Sequence, residues 1–319
     1  MMSLPLLALV LSYVAIAVFV IAVVARFLMW QRMPMHLRWE LYPVAHEAPS
    51  RAKYGGSYYE MPKWWTQKRE TSLAGELSVM VPEMLFLDAL REHHPKLWLR
   101  SFPFHFGLYL VAGCTALMML GGVLGAIAPG LAAGGLGTLL HYLVLASGAS
   151  GIVLGLLGSI GLLSRRLNTP ALRNFSTPAD FMNLILFIAA FGLSLVTFVA
   201  VDRDFALVST LVGSLVTFHL VDLPLATTQA VLPAATMMLW AAMLAYIPLT
   251  HMSHFVGKYF AYHAIRWNDT PNLQGGPEEA IIGAALNRPL SWAAAHIGGD
   301  GKKTWAEAAT EDTAKVVTP

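Results

Sequence analysis

Five long apolar stretches, separated by charged segments, dominate the pattern of hydrophobic and polar positions along the chain. They run over about Leu4–Trp30, Phe102–Ala128, Gly137–Leu163, Phe181–Ala200 and Gln229–Gly257. A hydrocarbon layer ~30 Å thick needs about 20 residues of helix, and each stretch meets that length. Backbone polar groups in lipid must be satisfied within the segment, so stretches of this kind read as helices. The pattern predicts an all-α fold, a polytopic membrane helix bundle with five transmembrane helices. A further stretch, Phe205–Leu225, is apolar but follows Asp202-Arg203-Asp204 and carries His219 and Asp222. A sixth span there would place the C-terminal basic residues outside, so a re-entrant or surface helix on the outer face is expected.

Composition agrees with a membrane protein. Of 319 residues, 56% are hydrophobic and 13% charged, and the mean hydropathy is +0.57. Soluble domains carry about 25% charged residues. The first stretch is too long for a signal peptide, lacks a basic start, and ends in Arg26 and Arg32, so a retained helix is expected. Of 21 Lys and Arg, ten fall in 31–100, three in 164–177 and six after Gly257. Only Arg203 lies on the opposite side, so the positive-inside rule puts the N-terminus outside and the C-terminus in the cytoplasm. Asp202, Asp204 and Asp222 make the outer surface mildly acidic.

This divides the chain into a first transmembrane helix (1–30), a cytoplasmic insertion (31–100), a four-helix membrane bundle with an outer segment at 201–228 (101–257), and a cytoplasmic tail (258–319). The insertion is dense in aromatics: Trp39, Tyr42, Tyr54, Tyr58, Tyr59, Trp64 and Trp65. Its second half, Ser72–His94, has helical periodicity with Pro82 in the middle, as for a helix on the membrane surface or under a partner. Aromatics with arginines suit a protein interface, and an interfacial aromatic belt would look the same. After Trp267 the chain turns polar, through Gly275, Gly276 and Pro277, and reads as a linker or a segment ordered by a partner.

Candidate chemistry lies in the histidines, of which there are 11. His36, His46, His93, His94, His263 and His296 stand in polar segments and read mostly as surface residues. His105 opens the second apolar stretch and His254 closes the last, at similar depth on the same side. An ionisable group at such a position is a functional candidate by default. Matched depth is the condition for two imidazoles to ligate one haem iron. Two interfacial histidines bonded to neighbours is the bland alternative. His251, one turn from His254, competes for the same role, and Pro248 before it should bend the helix. His141 enters the third stretch from the outer side, where His219 is its only potential partner as an iron ligand. Outer-interface histidines, or a quinone hydrogen-bond donor, would explain them equally. Gly148, Gly151, Gly155, Gly158 and Gly161 form a stripe for close approach of a helix or a flat macrocycle. Arg100, with Arg165 or Lys258, stands where propionates of an inner haem would emerge. The single cysteine, Cys114, excludes an internal disulfide, a CxxCH haem attachment and a cysteine-ligated iron–sulfur cluster.

The segments Phe-His-Phe-Gly-Leu at 104–108 and Tyr-Ile-Pro-Leu-Thr-His-Met-Ser-His at 246–254 resemble the cytochrome b family of the respiratory nitrate reductase gamma subunit. They resemble still more the related membrane subunits of Dsr- and Tmc-type redox complexes of sulfate-reducing bacteria and of heterodisulfide reductase. The Met-His-Leu-Arg-Trp-Glu-Leu-Tyr-Pro run at 35–43 is similar to the Tmc type in particular. The resemblance covers about Leu97–Tyr259 and implies a haem b held by His105 and His254. It departs at the second haem, whose ligands stand ten residues after the first histidine and eighteen before the last. Those positions are Thr115 and Thr236, which cannot hold iron. An outer haem is therefore either missing or bound by His141 and His219, and a menaquinone site near it is equally open.

The function this implies is a b-type cytochrome subunit of a respiratory complex in the bacterial inner membrane, an electron carrier rather than an enzyme on its own. Electrons would pass between a quinone pool or a periplasmic multihaem cytochrome c and a cytoplasmic iron–sulfur, heterodisulfide-reductase-like subunit. That subunit would dock on residues 31–100 and the tail, while membrane lipid surrounds the spans. The rivals are a haem-free quinone-binding or assembly anchor, and a transporter. No internal repeat is visible, and the histidines sit near the two surfaces rather than the midplane that transporters use.

Overall fold

A computed structural model of the chain describes residues 3–33, 44–218, 228–292 and 301–311. Among the described residues there is no β-strand, and five helices are long and apolar enough to cross a membrane. In chain order the main helices are α1 (Leu4–Gln31), α2 (Leu73–Phe86), α3 (Asp88–His93), α4 (Pro95–Ile127), α5 (Gly135–Asn168), α6 (Pro178–Ala200), α7 (Ala206–Thr217), α8 (Thr228–Tyr246), α9 (His254–Phe260) and α10 (Pro277–Leu286). Prolines set several boundaries. Pro95 and Pro178 stand in the first turns of α4 and α6, where a missing N–H costs nothing. Thr177 and Asp180 close a capping box at the start of α6, with the Thr177 N–H donating to Asp180 Oδ2 at 2.8 Å. The periodic stretch at 72–94 is two helices, α2 with Pro82 inside it and α3, separated by Leu87 at φ +53°.

The chain forms two compact units, residues 1–24 with 79–253, and residues 25–78 with 254–319. In the first unit α4 pairs chiefly with α5, α5 with α6, and α6 with α8. The α4–α5 seam explains the glycine stripe. A Cβ on Gly107 would stand 2.4 Å from the Gly155 N and 2.8 Å from the Gly151 O, and one on Gly158 would stand 2.3 Å from the Phe104 N. The two backbones touch, so the stripe serves helix packing, which in lipid relies on close contact rather than on the hydrophobic effect. Around the seam Phe104, Phe187, Ala190, Phe191 and Met243 form one buried cluster, and Cys114, Met118, Val144, Ile152, Phe205 and Val212 another.

Helix α7 has 12 residues, roughly 18 Å, and is too short to span. It packs against α4 and α8, with Gly122 and Gly213 at the α4 crossing. Asp202 starts it. Its Oδ1 accepts from the Leu207 N–H at 3.0 Å and its Oδ2 from the Val208 N–H at 2.9 Å. Burial pushes the Asp202 carboxyl above the usual carboxylate range, against the pull of those two donors. Asp202 is thus a buried cap and not a surface charge, which corrects the reading of an acidic outer face at that position. The neighbouring Asp222 and His219 lie outside the described residues.

The last apolar stretch is shorter than the hydropathy pattern indicates. Its helical span ends at Leu249, not Gly257. Pro248 lacks the N–H that would continue α8. The chain instead takes short 3-10 turns at Ile247–Leu249 and His251–Ser253, and a new helix begins at His254.

The second unit holds a buried polar clasp. His46 Nε2 lies 2.8 Å from Asp269 Oδ2, Arg69 pairs with Asp269 Oδ1, and the Tyr58 hydroxyl donates to the Asp269 carbonyl at 3.0 Å. Glu47 beside it accepts from the Ser57 hydroxyl at 2.8 Å and from the Tyr58 N–H at 3.2 Å. Trp267 packs on Tyr262 at 4.7 Å and edge-on to His46. His46 is therefore buried, where its polar surroundings in sequence indicated a surface residue. The segment after Trp267 is no bare linker, because Asp269 and Leu290 are buried and Pro277–Leu286 is helical.

Candidate functional site

His105 sits in the third turn of α4, half-buried, one turn after Ser101. Its Nδ1 lies 2.8 Å from the Ser101 carbonyl oxygen. The Ser101 hydroxyl is 3.3 Å from the same nitrogen, so the first residue of this turn holds the ring through both its carbonyl and its side chain. Metal-binding histidines commonly have one ring nitrogen tied to a backbone carbonyl in this way. Phe104, edge-on to Phe187 at 4.9 Å, fills the adjoining core. An imidazole has the donor chemistry that a haem ligand needs. His254 opens α9 and is exposed; it belongs to the second unit, His105 to the first.

Beside the end of α8 runs a polar chain that sequence inspection missed. The Tyr246 hydroxyl donates to Asn183 Oδ1 at 2.8 Å, and Asn183 Nδ2 faces His251 Nε2 at 3.4 Å. His251 Nε2 is 3.8 Å from Asp180 Oδ1, and Arg166 Nη1 is 3.7 Å from Asp180 Oδ2. His251, the competing ligand candidate, is thereby turned toward α6. Asn183 is buried in an apolar span, the one local signal that could have disclosed the chain. Replacing Asn183 by leucine should strip the Tyr246 hydroxyl of its acceptor and lower stability by about 1–3 kcal/mol. Thermal unfolding in detergent measures this, and an unchanged midpoint would show that water supplies the lost bonds.

At the far end of the unit, His141 lies in the second turn of α5, exposed, and lines a cleft of about 430 Å³ with Asp204, Ser209 and Thr210. Its proposed partner His219 lies outside the described residues. The two threonines at the family's second-haem positions have other tasks. The Thr115 hydroxyl donates to the Val111 carbonyl at 2.9 Å, and Thr236 and Thr197 share a hydrogen bond of 2.7 Å between α8 and α6. Phe205 fills the neighbouring core, its ring 2.8 Å from where a Gly148 Cβ would stand.

Arg100 lines a different cleft, of about 620 Å³, between the start of α4 and the end of α5, together with Arg165. The two arginines are thus brought to one cleft. Arg100 precedes His105 by five residues, about 140° around the helix. Lys258, the other candidate there, lies in the second unit. Set against known proteins, the chain matches no family model, no curated protein and no solved structure.

Proposed function

We propose that this chain is the b-type cytochrome membrane subunit of a bacterial respiratory complex, with His105 and His254 as the residues that would hold haem b. The observation that supports the reading most directly is a histidine inside an apolar span, with Nδ1 of His105 held 2.8 Å from the Ser101 carbonyl oxygen. The sequence motifs around His105 and His254 supply the rest. Haem b between two imidazoles would supply one-electron redox chemistry. The residues themselves do simpler things. Ser101 orients the His105 ring, Phe104 and Phe187 exclude water, and Arg100 is the candidate partner for a propionate. Exposed Tyr54, Trp65, Trp292 and Trp305 in the second unit suit the docking of a cytoplasmic iron–sulfur subunit. On this reading the N-terminus is outside, and a quinone or periplasmic cytochrome exchanges electrons from that side.

The engagement of Thr115 and Thr236 favours a single haem. Pyridine haemochrome of the purified protein should give about one haem per chain, and His105→Ala and His254→Ala should each abolish it. A value near two would bring in His141, tested by His141→Ala. Folded protein with no Soret band would refute the proposal and leave the haem-free anchor.

A further inference from the structure

The cleft that contains Arg100 has chemistry of its own. It is lined by Lys96 and Arg100 at the start of α4, Arg165 near the end of α5, and His93 and His94 just before α4. Three of these are permanent cations, and no acidic side chain is among the lining residues. Among the described residues, none of the three makes an ion pair. The nearby Arg91 and Arg166, by contrast, are matched with Asp88 and Asp180. Three like charges gathered without a counter-charge repel one another, and an anion that enters relieves that repulsion. The stem of Arg100 lies along Gly161, 3.3 Å from where a Cβ would stand, so the helix surface itself seats the guanidinium. The cleft volume of about 620 Å³ is that of a small-molecule site.

Its surroundings identify the class of anion. The cleft sits at the ends of two membrane-spanning helices, and Leu97 lines it. Leu99 and Leu167, beside it in sequence, are exposed by half or more. A phosphate group with apolar chains attached satisfies both halves: cations for the phosphate, leucines for the chains. Basic pockets between transmembrane helices are where anionic headgroups bind. We propose that this cleft is a specific site for the phosphate of an anionic phospholipid, held by Lys96, Arg100 and Arg165. The inference does not require haem to be bound, and it gives Arg100 a lipid phosphate in place of a propionate.

The test is native mass spectrometry of the full chain released from nanodiscs of phosphatidylglycerol, cardiolipin or phosphatidylcholine. The intact chain should retain the two anionic lipids and not the neutral one. Arg100→Gln with Arg165→Gln should lower retention about thirtyfold, the effect of losing two charges at the surface. The double lysine variant should keep most of it, which separates loss of charge from loss of fold. Arg173→Gln, an exposed cation outside the cleft, should change nothing. Equal retention of neutral and anionic lipid would overturn the proposal, as would a glutamine double variant that binds like the parent chain. Displacement of the lipid by inorganic phosphate alone, bound as tightly without acyl chains, would show a free-phosphate site instead. Loss of haem in Arg100→Gln with lipid retention intact would assign that arginine to a propionate and also overturn it.

Discussion

Replacing Gly107 by leucine is expected to prevent assembly of the membrane bundle. A Cβ at that position would lie 2.4 Å from the Gly155 N and 2.6 Å from its Cα, and both are backbone atoms of α5. No rotamer relieves such a contact, so one helix must move off the other. Overpacking in a soluble core costs about 1–3 kcal/mol, and there the hydrophobic effect still holds the elements together. In lipid the contact between helices is itself the attraction, so separating the backbones removes the cause of association along with the geometry. The readout is size-exclusion behaviour and thermal unfolding in detergent. Gly113→Ala is the matched control. A Cβ there meets nothing within 4 Å, and alanine is favoured over glycine in a helix by about 1 kcal/mol. A Gly107→Leu protein as stable as the Gly113→Ala control would show that the seam is not a determinant of the fold.

Asp269→Ala is expected to open the second unit. The carboxylate accepts from His46 and pairs with Arg69, and it is only 5% exposed. Removing one member of a buried charged set leaves the others uncompensated, at a cost of about 3–5 kcal/mol. The pH dependence follows from the same contacts. Burial alone would raise the Asp269 carboxyl, but the hydrogen bond and charge of His46 and the charge of Arg69 outweigh it and hold the group below the usual carboxylate range. A carboxyl depressed by folding contributes stability above its unfolded value, about 3.9, and loses it as the pH falls through the lower folded value. Hydrogen exchange of residues 44–72 should thus be slow at neutral pH and rise steeply below about pH 4. In Asp269→Ala it should be fast at neutral pH. Slow exchange in that variant would mean the clasp is dispensable.

The spans were legible because length and hydropathy need no partner to be read. Residue 248 was legible for the same reason, since a proline stops a helix from within. What could not be read depends on partners far along the chain. His46 and Asp269 are 223 residues apart, and nothing in the polar run around His46 marks it for burial. Asp202 looked like any loop acid until α7 was placed over it. The stripe on α5 announced close packing, but its partner could as well have been a flat ring as α4. The candidate site divides in the same way. The His105 ring is oriented by a neighbour four residues back, a contact that helix spacing already implies, whereas the cleft around Arg100 and Arg165 joins residues on two helices.

The seam between α4 and α5 also bears on which length changes the chain can tolerate. Each inserted or deleted residue turns the rest of a helix by about 100°. One added residue near Ile152 would carry Gly155 and Gly158 out of the seam and swing leucines into it. The third span should therefore accept exchange of its lipid-facing residues freely and alteration of its length hardly at all. The polar run at 270–276, beyond the clasp, should show the reverse tolerance.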